Sequence, residues 1–436
     1  MIRIRVDPYS AIGFLVACGL LACSPAGDTP GVDTGLTETP QPVPPTAVVT
    51  PTPIPTPAEP TQPPTATVPP DFGPFRLAAT FEGEGLFVDF YDQLDSTGDG
   101  QVYATLDGWA TYRLEGDRMA LVVDEAPAEI LGVDDTGGVW AASESLVFNW
   151  DGEKWTEYGP DAGWISDPMQ WYGSPYGLFS ASDGTVWTAT SQDVRSFDGE
   201  RWRIYTYADM NMEPVAVDDV TWSGFSLAEA DGVIWVGECT FCPLGPIGGV
   251  GARWFDGDTW HGVDSPAATG CVTEVAVAPD GAVWLDIGPS LYRHNPATGA
   301  WDGFRLPVPP DEHITRFGVV TELNFDANGD PWLGLTTCGG AHCYMDLVRY
   351  HFERASGTYH LVGSQWPIES VMHFDGSGQG WLFGLGEVSR LEGDDFETVN
   401  YLMVPLPYGT TQTPDGTIWA IGEMEETFGV WQIAAE

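Results

Sequence analysis

An all-β fold of repeated four-stranded units is what this sequence predicts, and three observations predict it. Glycine-containing tight turns recur through 75–436: Asp99-Gly100, Gly137-Gly138, Asp183-Gly184, Asp231-Gly232, Asp280-Gly281, Asn328-Gly329, the 378–380 glycines and Asp415-Gly416. An aromatic residue stands shortly after each: Tyr103, Trp140, Trp187, Trp235, Trp284, Trp332, Trp381 and Trp419, spaced by 37, 47, 48, 49, 48, 49 and 38 residues. A second turn follows inside most modules, as Asp151-Gly152 with Trp155, Asp198-Gly199 with Trp202, Asp256-Gly257 with Trp260, and Gly299 with Trp301. An Asp-Gly pair flanked by strand formers is a strong hairpin signal, because glycine accepts the positive φ of a tight turn. Two hairpins per module make four strands. Four strands in 37–49 residues, repeated about eight times, point to a β-propeller, eight blades preferred over seven.

Each element then follows in order. Residues 182–205 are the most regular module, with both turns and both Trp residues in place, and the apolar run 177–181 ahead of them as first strand. The last module stops at 429–433, its third strand. The N-terminal stretch is therefore expected to supply the missing outer strand and close the ring, through 75–80 or 86–90, since closure removes exposed edges. The repeated aromatics are expected to be packed between adjacent blades.

Residues 1–22 read as a signal peptide. Arg3 and Arg5 precede the apolar run 11–22, which is too short to cross a bilayer. It ends in Leu20-Leu21-Ala22-Cys23, which resembles the lipobox of bacterial lipoproteins; the resemblance implies a lipid on Cys23 and attachment to a membrane through that anchor alone. Residues 23–72, rich in Pro and Thr, cannot bury enough apolar surface to order themselves and read as a stiff stalk, with a reach on the order of 100 Å. The expected location is the cell envelope, outside the cytoplasm.

The modules themselves resemble two-component-regulator propeller repeats of extracytoplasmic sensor domains. Residues 177–205 carry the resemblance best: an apolar strand, a turn Asp three or four residues before Trp, a short third strand, then Phe-Asp-Gly-x-x-Trp. The resemblance implies a module that binds an extracellular ligand or protein. The sequence shows no membrane-spanning, kinase or DNA-binding segment after Glu436, so signalling through its own chain is not expected.

Charge excludes one class of partner. The chain holds 16 Lys and Arg against 63 Asp and Glu, a net charge of −47. A field of that sign repels nucleic acid and favours cations or a basic partner. Catalytic signatures (GxSxG, HExxH, P-loop) are absent, so the chain reads as a binding module rather than an enzyme, with a purely structural envelope scaffold as a further reading. The alternative enzyme reading is a metal-assisted lyase or hydrolase in the propeller channel, for which His373 and Glu274 on first strands are the candidates. No metal site is assigned, and Ca²⁺ is the one cofactor the acidic turns allow. Asp95 to Gly100 and Asp326 to Asp330 imitate half of a Ca²⁺ loop, but lack the Glu that completes it and read better as turns.

The expected ligand surface lies on loops off the repeat pattern, because loops on a rigid scaffold commonly carry function. Residues 159–176 hold Trp164, Trp171 and Tyr172; 206–225 hold Trp222; 307–317 hold His313 and Arg316; 364–370 hold Trp366. Five cysteines follow the stalk. Cys239 with Cys242, and Cys338 with Cys343, sit in enlarged loops between second and third strands and are the disulfide candidates. Cys271 begins the next blade, and one thiol is left over in any scheme; zinc held by Cys239, Cys242 and Cys271 is the alternative.

Overall fold

The structure is a computed structural model. It describes residues 74–81 and 92–433, apart from 144, 165–177, 191, 214–221, 243–244, 264–269, 288–289, 308–315, 340–341, 367–369, 385, 394, 403–408 and 425–426. The leader, the stalk and 86–90 lie outside the described residues.

Turn chemistry places the strands. At the reference module, Gly184 takes φ 85° and its N–H bonds Ala181 O at 2.9 Å, while Asp183 Oδ1 accepts the Thr185 N–H at 2.8 Å. A side chain at position 184 would be strained in that left-handed conformation, so glycine fixes the turn. Successive strands then pair antiparallel with their chain neighbours, giving six separate four-stranded sheets and one of eight. The eight-stranded sheet is two four-strand units joined edge to edge. We number the units one to eight: 93–123, 129–158, 179–206, 222–262, 275–305, 316–366, 371–400, and 410–433 completed by Phe75–Phe81.

Phe75–Phe81 is the closing strand. It runs antiparallel to the third strand of unit eight, from Phe75 opposite Ile433 to Thr80 opposite Gly429. Its last two residues also pair in parallel with Arg118 and Met119 of unit one, which fuses the two sheets. Gly429 is required there, since a Cβ would stand 2.6 Å from Ala79 O. Phe75 meets the Trp381 ring edge-on at 6.0 Å, and Phe81 stacks on Phe428 at 5.2 Å, so the strand is packed at both ends. Of the two stretches the sequence offered, the first closes the sheet.

Among the described residues, hydrophobic side chains gather in eight clusters, and each cluster draws on two adjacent units. Trp187 of unit three packs with Phe225, Ile234 and Phe255 of unit four; Trp284 of unit five packs with Leu323, Leu335 and Phe352 of unit six. Ile421 and Val430 of unit eight join Leu94 and Val102 of unit one. Hydrogen bonds follow the same circuit. Asp135 N–H bonds Ser180 Oγ (3.1 Å), Val275 N–H bonds Ser226 Oγ (3.0 Å), Asn324 Nδ2 bonds Met372 O (2.8 Å), and Ser96 Oγ bonds Gln412 O (3.1 Å). The architecture is a β-propeller.

Tyr103, Trp140, Trp187, Trp235, Trp284, Trp332 and Trp381 are buried at these interfaces, and Trp419 is half-buried. They are not equivalent in bonding. Six residues before the aromatic, units two and seven carry Asp134 and Asp375. These accept the indole N–H of Trp140 at 2.7 Å and of Trp381 at 3.0 Å. Units three and five carry Ala181 and Ala278 at that place, and the N–H groups of Trp187 and Trp284 have no hydrogen-bond partner.

Candidate functional site

Units four and six carry the longest hairpins of the ring. Second strands have four or five residues in units one, two, three, five and seven, such as Val186–Ala189 and Val283–Ile287, and seven in unit eight, Ile418–Met424. In unit four the second and third strands are Val233–Cys242 and Gly245–Phe255; in unit six they are Pro331–Gly339 and His342–Glu353. The extra length lies beyond Trp235 and Trp332, at the end away from the Asp-Gly turns. Each second strand there runs four residues further past its Trp than Val283–Ile287 does past Trp284, a projection of roughly 13 Å. What the sequence presented as enlarged loops at 238–254 and 336–346 are therefore mostly strands. Their glycines (Gly245, Gly248, Gly249, Gly251) break the hydrophobic alternation by which a strand is recognised. The third strand of unit four touches the first and third strands of unit six, across the shorter unit five.

The unit-four hairpin is braced by buried groups. Glu238 is fully buried; its carboxylate accepts the Val250 N–H at 2.8 Å, Thr240 Oγ1 at 2.9 Å and the Tyr207 hydroxyl at 3.2 Å. Its backbone oxygen accepts the Val272 N–H at 2.9 Å, which draws the start of unit five against the hairpin. Gly249 allows that approach, as a Cβ there would lie 2.6 Å from Cys271 Cα. In this setting Cys239 bonds Cys271, with Cα atoms 4.2 Å apart. This corrects the cysteine reading: Cys239 takes its partner from the next unit, outside the candidate set, and not Cys242. The inter-unit bond from Val272 to Glu238 decides it. The disulfide also removes Cys239 and Cys271 from any zinc set.

Unit six is braced by an ion pair. Arg349 donates from Nη2 to Glu322 Oε2 at 2.8 Å and to Ser370 O at 2.9 Å, with both side chains buried. Glu322 Oε1 accepts from Asn324 Nδ2 at 3.0 Å and from the Met372 N–H of unit seven. Between them, Asp286 of unit five accepts the N–H groups of Thr273 and Glu274 at 2.8 and 2.7 Å; burial nonetheless pushes its pKa up to about 6. Asp95 keeps some exposure, but protein surrounds its carboxyl closely and desolvation pushes it up to about 7. Glu238, Asp286, Glu322 and Arg349 were not singled out from sequence, whereas Asp95 was, as the first residue of a half Ca²⁺ loop. The available signal was a charged residue inside an apolar run, as in Val320-Thr-Glu322-Leu323 and Leu347-Val-Arg349-Tyr350.

The expected ligand residues divide three ways. Trp164 is a correction, because it is 1% exposed and offers no surface. Gly163, at φ 92° after the short 3-10 turn Pro160–Ala162, sends the chain back so that Trp164 meets Trp202 edge-on at 4.9 Å. The Arg195 guanidinium, held by Asp193 at 2.6 Å, covers the ring at 4.3 Å. Trp164 thus plugs a blade end. Trp171, Tyr172 and His313 lie outside the described residues. Trp222, Arg316 and Trp366 are placed by backbone, opposite Phe241, Cys338 and Leu347, so all three belong to the tall units.

The channel candidates are engaged in the ring. His373 Nε2 is 2.9 Å from Thr410 Oγ1 of unit eight, and Glu274 is buried with its N–H on Asp286. Among the described residues, the one group of three metal-type side chains is Asp326, Asp330 and His351, within 4.8 Å of one another near the Asp-Gly turns. Asp326 Oδ1 there caps the N–H groups of Asn328 and Asp330, both at 2.9 Å. Arg354 binds Asp330 at 2.8 Å and Asp280 of unit five at 2.9 Å, beside a hollow of about 510 Å³ also lined by Arg293 and Phe304. His351 stacks on Trp332 at 4.6 Å, and its Nε2, 3.6 Å from Asp326, is too far for a hydrogen bond. In the other acidic turn Asp99 Oδ1 holds Thr97 Oγ1 at 2.5 Å. Each half-loop thus spends one carboxylate on turn geometry, Asp326 in one and Asp99 in the other.

No protein-family model and no curated protein matches the chain. Similar solved structures are propellers. The extracellular domain of a putative one-component system from B. thetaiotaomicron is 12% identical, with a TM-score of 0.43 over 79% of this chain and 40% of that one. The present chain thus spans about two-fifths of that protein. The Dos1 propeller is 8% identical at a TM-score of 0.49 (80% and 94% covered). Virginiamycin B lyase from Staphylococcus aureus is 15% identical at 0.42 (70% and 94% covered). At these values the likeness is one of sheet winding and bears on no activity.

Proposed function

We propose that the protein is an extracytoplasmic binding module, anchored through a lipid on Cys23, whose ligand or partner protein is taken by the tall hairpins of units four and six. One observation carries the reading: the two longest hairpins stand in two nearby units, whose strands meet across the shorter unit between them. Loops and extensions on a rigid scaffold are where recognition residues are placed. The closing strand enters the ring at Phe75 beside Ile433, at the Asp-Gly end, so the hairpins rise from the opposite face. A disulfide between Cys239 and Cys271 suits an oxidising compartment. The net charge of −47 favours a partner with a basic face, with affinity that weakens as salt rises.

The test uses the full chain and a variant whose unit-six hairpin is cut to regular length by removing 336–345. Basic peptides, oligosaccharides and divalent cations are screened by thermal shift, and any hit is titrated by calorimetry. A hit that stabilises the native chain but not the shortened one supports the reading. Turnover of ester, lactone or glycoside substrates that survives the shortening defeats it. Anchoring is checked separately: incorporation of a labelled fatty acid should be lost in Cys23→Ser.

A further inference from the structure

We propose that Cys338 and Cys343 form a second disulfide across the unit-six hairpin, leaving Cys242 as the single thiol of the folded region. Five cysteines follow the stalk, and the bond from Cys239 to Cys271 removes two. Three pairings of the remaining three are then open, and the backbone register separates them. Cys338 and Cys343 are direct partners in the antiparallel pair formed by Pro331–Gly339 and His342–Glu353. Directly opposed antiparallel residues have Cα atoms about 4.5 or 5.5 Å apart, depending on the hydrogen-bonding of the pair. Both values fall within the roughly 4.4–6.8 Å that a disulfide spans. Cys242, in contrast, is registered opposite Gly245, a residue without sulfur.

The step is an ordinary thiol exchange with a disulfide oxidant. One cysteine of the pair, as thiolate, attacks the oxidant's S–S bond and releases one thiolate; the second cysteine displaces the other half, forming the Cys338–Cys343 bond. Two thiol protons pass to the two released thiolates, and the oxidant takes up two electrons. Each tall hairpin then carries one disulfide. The first ties unit four to unit five, and the second closes only the hairpin's own tip. A short closed loop restricts the unfolded chain less than a long one, so the second bond should affect global stability less than the first.

Trypsin makes the proposal readable, since no Lys or Arg lies between Arg316 and Arg349, and fragment 317–349 therefore holds both Cys338 and Cys343. Fragment 204–253 holds Cys239 and Cys242, and fragment 254–293 holds Cys271. The full native chain is incubated with oxidised glutathione, alkylated, digested without reduction and weighed. The expected result is 317–349 lighter by two hydrogens, with no alkyl or glutathione group. A 204–253 fragment joined to 254–293 and carrying one alkylated or glutathionylated cysteine completes it. Recovery of 317–349 with alkyl or glutathione groups, or joined to 204–253, overturns the assignment. A Cys242→Ser variant gives an independent arm. It should leave 317–349 unchanged, whereas a thiol newly exposed on that fragment would show that Cys242 had been its partner.

Discussion

The bonding difference among the repeated indoles gives a quantitative prediction, carried by replacing Trp with Phe at four equivalent positions. Trp140 and Trp381 each donate to a buried Asp, at 2.7 and 3.0 Å, while Trp187 and Trp284 donate to nothing. All four are buried between units, so the loss of ring area is a shared cost of about 1–2 kcal/mol. Trp140→Phe and Trp381→Phe also remove a hydrogen bond to a carboxylate, worth about 1.5–3 kcal/mol. At 187 and 284 the change removes an unsatisfied buried donor, whose burial is itself unfavourable by about 1–3 kcal/mol. The first pair should therefore be destabilised by at least about 2 kcal/mol more than the second. Equilibrium urea unfolding followed by far-UV circular dichroism measures the difference. Equal losses in all four variants, or larger losses at 187 and 284, would refute the stabilising part assigned to the Asp–indole hydrogen bond.

Three further outcomes follow from buried charge and cross-linking. Asp286 titrates near 6 when folded against 3.8 in the unfolded chain. Its raised value contributes stability that is full below about pH 4 and lost as pH climbs through 6. Asp286→Asn should flatten that dependence, gaining up to about 3 kcal/mol on the native chain between pH 4 and 7.5 in urea titrations. Arg349→Met strands the Glu322 carboxylate and should cost about 3–5 kcal/mol, most of it recovered when Glu322→Leu is added; a double variant no better than the single would contradict the ion-pair account. Cys239→Ser opens a closed loop with a sequence separation of 32 and should lose about 3–4 kcal/mol, with added reductant lowering its unfolding midpoint little further.

The fold was legible because its determinants are local. An Asp-Gly turn, a Trp three or four residues later and a second turn can each be read without knowing what lies across the interface. The closing strand was legible in kind for the same reason: a last unit with three strands needs a fourth. Its identity was settled by a property that local reading lacks, the fit of Gly429 against Ala79 O and of Phe75 against Trp381. The site was harder, since it depends on contacts between units. Trp164 looked like a surface aromatic because it falls outside the repeat, and only the left-handed Gly163 turns it inward. The partner of Cys239 was hidden for a similar reason, being chosen by a backbone bond to a residue 34 positions later.

Repetition itself explains where function is to be sought. A feature present in every unit answers a need shared by every interface, so the Trp residues and Asp-Gly turns report on closure of the ring and on little else. Buried charge follows a different distribution. Glu238, Glu274, Asp286, Glu322 and Arg349 are five of the nine buried charged residues among those described, and all five lie in units four to six. Taking charge out of water is costly, and a buried ion pair is often no better for stability than a well-packed apolar pair. Such groups are better understood as fixing one arrangement of backbone. Here they pin the base of one tall hairpin, the base of the other, and the shorter unit between them. The part of the ring richest in buried charge thus supports its two longest projections, as the proposed recognition surface would require for its ligand to meet it preorganised.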